Sequence, residues 1–248
     1  MRTLAASFAV LAALAPGVAA AQAISKAETL LFETDHLAKT NAPATLEYAF
    51  RKESNVEPGY SDKVRLELAR VNGKLSATLH FLSGEHKQEI PALEEVHGNP
   101  VLLGFLEHDI AEMKRLTGGS TSYFRKRIRM ALAEGAQVSR QSVTYQGKTV
   151  QAQTVRIQPY LNDPMHAQFE KYLHKTYTFV LSDQVPGGLY QLRTSTGAPA
   201  AGRPGAGTPE PVRTSGVPAA GAPAAGSPAA TPVIDETLTL ISVTPGKP

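Results

Sequence analysis

The chain contains no cysteine and no tryptophan. The missing thiol excludes disulfides, thiolate catalysis and zinc–thiolate sites together. It also excludes the lipidated cysteine that a bacterial lipoprotein carries after its leader. Charge of one sign is scarce as well, with a formal net of +3 over 248 residues. Losing Arg2 with a cleaved leader would lower that by one. Nucleic-acid-binding domains carry a far stronger basic balance, so any basic patch here must be local.

Long apolar runs are also absent beyond the first residues. There, Arg2 precedes LAASFAVLAALA and then PGVAAAQA. A basic start, an apolar core of about a dozen residues and a small-residue end predict a secretory signal peptide over residues 1–23. Cleavage is expected after Ala21 or Ala23. The run is shorter than the roughly twenty residues that a membrane helix needs. The expected location is therefore the periplasm or the exterior, with no transmembrane segment.

Between Gly197 and Pro232 the composition shifts to APAAGRPGAGTPEPVRTSGVPAAGAPAAGSPAATP. Almost no large apolar residue remains to build a core, so residues 197–232 read as a disordered Ala/Pro/Gly-rich insertion. The segment after it, ETLTLISVTP, alternates in the manner of a strand. Its expected partner is LYQLRTST at 189–196, which makes the tract a long loop within one hairpin. Closure entropy grows only logarithmically with loop length, so such an insertion is tolerable. One domain is thereby expected over 24–196 plus 233–245.

VRLELARVNGKLSATLHF carries the clearest local signal. Asn72-Gly73 suits a two-residue type I′ turn, whose two positions need positive φ. The turn pairs Val71 with Lys74, which sets Val64 opposite Phe81, Leu66 opposite Leu79 and Leu68 opposite Ala77 on one face. A second hairpin turns at Gln146-Gly147. Its register places Val143/Val150 and Val138/Val155 on opposite faces, which predicts a bulge or a change of the covered side. TLEYAF at 45–50, the Tyr177 strand and the turn at VPGG (185–188) complete about eight or nine strands.

Asn99 is placed to cap a helix with Pro100 in its first turn. Leu102, Leu106, Ile110 and Met113 recur at helical spacing until Gly118-Gly119 ends the segment. A second helix starts at Ser120–Ser122, carries Phe124, Ile128 and Leu132 on one stripe, and stops near Gly135. The expected class is α+β: a curved, half-barrel-like antiparallel sheet with a two-helix hairpin packed on one face.

The joint KRLTGGSTSYFRKRIRMAL resembles a site more than any other stretch. Helix, glycine turn and basic helix are helix-turn-helix features, but export and weak net charge exclude DNA as partner. TGGSTS lacks the spacing of a phosphate-binding P-loop. Free N–H groups at a helix start still attract anions, so Ser120, Thr121, Arg125, Lys126 and Arg129 form a candidate anion site. The plainer reading makes the glycines a helix end, the hydroxyls a helix cap and the basic residues a solvated face.

In NDPMHAQFEKYLHK, His166, Glu170 and His174 sit at i, i+4 and i+8, with Asp163 one turn earlier. On a helix they share one face, and their chemistry suits zinc or another divalent metal. One helix can bring only two such ligands to one ion, so an amphipathic connector is the plainer expectation. HExxH and GxSxG are both absent. No reaction and no cofactor follow from these residues, and a non-enzymatic protein is expected.

In layout, a curved antiparallel sheet with a helical plug resembles the periplasmic carriers of lipoproteins and lipids. That resemblance implies a concave apolar face lined by Val64, Leu66, Leu68, Leu79 and Phe81, under a lid made by Leu102, Leu106 and Ile110. The same residues could equally form one dry core. The functional expectation is an envelope protein that binds or carries a lipid-like, hydrophobic or amphipathic ligand. The alternatives are a protein-interaction module without a small ligand and, third, a metal-dependent enzyme.

Overall fold

The computed structural model describes residues 23–197 and 233–246. The predicted leader and the body of the Ala/Pro/Gly-rich tract lie outside the described residues.

Among the described residues eight strands form a single curved, unclosed antiparallel sheet, and with three helices the class is α+β. The strands are β1 (Ala44–Ser54), β2 (Tyr60–Val71), β3 (Lys74–Phe81), β4 (Gln137–Tyr145), β5 (Lys148–Ile157), β6 (Thr176–Leu181), β7 (Leu189–Ser195) and β8 (Ile234–Pro245). Their spatial order is β3-β2-β1-β8-β7-β6-β5-β4. The chain thus builds three strands outward from β1, crosses to the far edge, and returns inward through β4–β7. β8 is last in the chain and lies between β7 and β1, pairing Leu238 with Leu192 on one side and with Phe50 on the other.

Alternation explains which face is covered. Leu46, Tyr48 and Phe50 on β1 share the buried face with Val64, Leu66 and Leu68 on β2 and with Leu79 and Phe81 on β3. The β2–β3 register is the one dictated by Asn72-Gly73, both of which have positive φ. In the second hairpin the register runs unbroken from Gln137↔Arg156 to Tyr145↔Lys148, so no bulge forms. The covered side changes instead. Val155 and Ile157 are buried at one end, and Val150 and Ala152, of opposite parity, at the other. The change falls where β5 loses its other partner, since its ladder with β6 spans only Gln153–Ile157.

Three helices follow from their caps. α1 (Lys26–Glu28) begins in a capping box: Ser25 Oγ accepts from Glu28 N, and Glu28 Oε2 accepts from Ser25 N. It continues into a π turn over Thr29–Glu33 and buries Ala27 and Leu31. α2 (Pro100–Thr117) starts where the Asn99 side chain accepts from Val101 N, and ends at Gly118 with φ +72°. α3 (Thr121–Glu134) starts at Ser120, whose hydroxyl accepts from Tyr123 N.

α2 lies across the concave face. An alanine Cβ at Gly104 would come within 2.9 Å of the Leu79 and Phe81 side chains, so only glycine allows so close an approach. Beyond β3, residues 88–96 cover the sheet edge through backbone bonds, including a reciprocal pair between Ala77 and Leu93.

Candidate functional site

The eight residues expected to line or cover the concave face do come together. Val64, Leu66, Leu68, Leu79, Phe81, Leu102, Leu106 and Ile110 are all buried within one continuous apolar core.

The other half of the α2 joint is ionic. Lys52, on the inward face of β1, is 5% exposed and lies 2.8 Å from Glu57, 2.8 Å from Glu112 on α2 and 3.3 Å from Glu236 on β8. Burial alone would lower its pKa. Hydrogen bonds to Glu112 and Glu57, with the charge of Glu236, more than offset this and hold it above the ordinary lysine range. Burial pushes Glu112 upward, but Arg115 and Lys52 overcome it and bring its carboxyl down to about 2. Arg115 also grips Glu57, with both carboxylate oxygens within 2.9 Å of its Nη2.

His108 extends this network inward. Its Nδ1 receives the Gln88 amide N–H at 3.0 Å, which leaves Nε2 facing Glu236 Oε2 at 3.6 Å. Burial would raise the Glu236 carboxyl, but His108 and the nearby lysines keep it below the ordinary range. A cleft of about 670 Å³ opens onto Lys52, His108 and Glu112, with the stacked rings of Tyr60 and His86 in its wall.

A second buried cluster lies one helical position on. Asp109 is fully buried, 2.5 Å from Lys175 Nζ, and accepts from the Tyr177 hydroxyl at 2.5 Å. Tyr177 in turn contacts Tyr160. Burial, then the Asp109 charge, raises the Tyr177 phenol well above its usual range, so it stays a proton donor.

The burial of these ions has a signal in the sequence. Lys52 shares parity with Tyr48 and Phe50, Glu236 with Leu238 and Leu240, and Lys175 with Tyr177 and Phe179. Asp109 falls on the Leu102–Leu106–Met113 stripe. Polar residues in phase with an apolar face are either buried and paired or mark the edge of the covered zone.

Two of the five candidate anion residues at and after the start of α3 are engaged within the protein. The Ser120 hydroxyl caps the helix, and Arg125 binds Glu107 through two bonds of 2.9 and 2.7 Å. Thr121 is half-buried, while Lys126 and Arg129 are exposed. Arg127 turns inward to Asp163 at 3.0 Å.

The helical premise of the metal expectation requires a correction. Residues 163–174 do not form one helix: two separate 3₁₀ turns stand at His166–Gln168 and Glu170–Tyr172, and His174 lies beyond both. The single helix that would align residues 166, 170 and 174 on one face therefore does not form. Asp163 is buried against Arg127 and Tyr123, which removes it from any such set. Anchoring Asp163 to α3 and burying Phe169 and Tyr172 override helical spacing in so short a segment. Among the described residues no group of three or more His, Asp or Glu side chains is placed to hold a metal.

No protein-family model and no curated protein matches the chain. Among solved structures, the Mycobacterium tuberculosis lipoprotein LppX is similar over 86% of this chain and 95% of its own, at 10% identity and a TM-score of 0.29. A likeness that low carries no argument about function.

Proposed function

We propose that this protein binds or carries a hydrophobic or amphipathic, lipid-like ligand in the cell envelope, without catalysing a reaction. The observation behind this reading is the split character of the joint between α2 and the concave sheet. Its first half is apolar, and its second half holds His108, Asp109 and Glu112 against buried Lys52, Lys175 and Glu236.

A purely structural core gains little from buried ions, since desolvation offsets much of their attraction. A cover that must lift gains from them, because the ions rehydrate when the joint opens. An acyl chain would then replace α2 on Val64, Leu66, Leu68, Leu79 and Phe81. Native mass spectra of protein purified gently without detergent test the reading. An added mass of several hundred daltons, lost on organic extraction, is expected. A bare protein that also fails to take up a fluorescent fatty acid would overturn it.

One observation favours the second reading, an interaction module without a small ligand. The contact at Gly104 leaves no gap between α2 and β3 in the closed state. Under that reading the fatty acid is refused.

A further inference from the structure

The N-terminal end of α2 is held by one buried hub. Asn99 uses every polar group it has. Its side-chain oxygen accepts from Val101 N at 3.1 Å, its amide donates to Tyr48 Oη at 2.9 Å and to Gly187 O at 2.8 Å, and its backbone N–H donates to His36 Nδ1 at 3.2 Å. His36 is itself buried, and its Nε2 lies 2.8 Å from Leu30 O. A carbonyl can only accept, so the proton sits on Nε2 and Nδ1 must be a bare acceptor.

The turn between β6 and β7 closes the hub from the other side. Gly187 and Gly188 both have positive φ, and an added Cβ at Gly188 would stand 3.0 Å from His36. Gly188 thus packs directly against His36, where a side chain would crowd it.

We propose that His36 is a pH-sensitive latch: a proton on Nδ1 faces the Asn99 N–H donor to donor, breaks that bond, and frees the first turn of α2 together with the segment that carries His36. Charged and titratable groups lie around it. Asp35 and Lys39 lie on its own segment, His97 on the approach to α2 pairs with Asp35 at 3.6 Å, and Asp183 and Arg140 face it across a cleft of about 390 Å³. Burial lowers the imidazole's pKa more than the Leu30 carbonyl and Asp35 raise it. The sign follows: the latched form requires neutral His36, so latching is complete above the ordinary value of 6.5 and weakens as pH falls below it.

What the latch would do for a ligand rests on reading α2 as a cover, so that acidification opens one end of it. The latch itself does not rest on that reading. Hydrogen exchange on the ligand-free protein, normalised for intrinsic rates, tests it at pH 7.5 and 5.0. Protection over residues 97–105 should fall, by up to about 30-fold, the ceiling set by 1.5 pH units below 6.5. His36→Asn keeps an acceptor near Nδ1 and cannot titrate, so its protection should not respond to pH.

Unchanged wild-type protection would overturn the latch, as would an equal loss in His36→Asn. Should that variant fail to fold, the His36 ring signal in the NMR spectrum decides. Its titration must coincide with the loss of protection, and a mismatch overturns the proposal. Failure here with fatty-acid uptake intact would sink the latch alone; the reverse would sink the carrier reading alone.

Discussion

Replacing Lys52 by Met removes one cation from among three carboxylates while keeping most of its buried stem. Arg115 still binds Glu57 and Glu112, so those two remain compensated. Glu236 is left with His108 at 3.6 Å as its near partner, in a site 2% exposed. Breaking a buried pair by removing one member costs about 3–5 kcal/mol, and the partial cover from Arg115 argues for about 3 kcal/mol here. With a urea slope of about 2 kcal/mol/M, the midpoint should drop by about 1.5 M at pH 7, followed by far-UV circular dichroism. The pH arm makes the argument specific. In the native protein the Glu112 pKa is depressed to about 2, so its contribution is complete above about 4.5 and is lost as pH falls toward 2. In the variant, protonation relieves the one uncompensated carboxylate, Glu236, so the deficit should shrink below pH 4.5. Adding Glu236→Gln to Lys52→Met should restore much of the loss at pH 7. A deficit under about 1 kcal/mol at pH 7, or one of equal size at pH 7 and 3.5, would refute the reasoning.

Gly187→Ala forces a left-handed backbone on alanine and drives its Cβ to 2.4 Å from Leu46, for an expected loss of about 2–4 kcal/mol by urea denaturation. Tyr177→Phe takes one donor from fully buried Asp109 and should cost about 1–3 kcal/mol, read by the same assay. Lys126→Ala and Arg129→Ala remove exposed side chains and should each shift stability by less than about 0.5 kcal/mol in thermal melts.

The parts of the fold legible in sequence share a local cause. Asn72-Gly73 sets its own register because the turn geometry and the alternation of Val64, Leu66 and Leu68 agree. Asn99-Pro100 and Gly118 bound α2 because capping is decided within one turn. The second hairpin was half legible. The conflict between Val143/Val150 and Val138/Val155 was real, but whether it meant a bulge or a change of covered side depends on where β6 stops pairing. That is a tertiary fact. α1 carries a readable capping box at Ser25 and Glu28, but its apolar stripe is too short to stand out. The spacing of His166, Glu170 and His174 failed as evidence because helical periodicity means nothing until a helix forms, and there Asp163, Phe169 and Tyr172 each had stronger tertiary partners. The ionic joint is legible only through phase, since charge by itself signals exposure and only the parity of Lys52, Lys175 and Glu236 with their apolar neighbours signals burial.

The position of β8 has a consequence for how the molecule is made. Until residues 234–245 arrive, β1–β3 and β4–β7 are two separate meanders, each with a naked inner edge where the sheet will be continuous. Only the pairing of β8 with β1 on one side and β7 on the other makes the two one sheet, so residues 234–245 are its keystone. Folding must wait for contacts between residues nearly two hundred positions apart, a demand that slows closure and prolongs the life of exposed edges. A chain clipped before residue 233 would therefore not be a slightly shorter protein but two unfinished sheets, each offering a sticky strand to its neighbours.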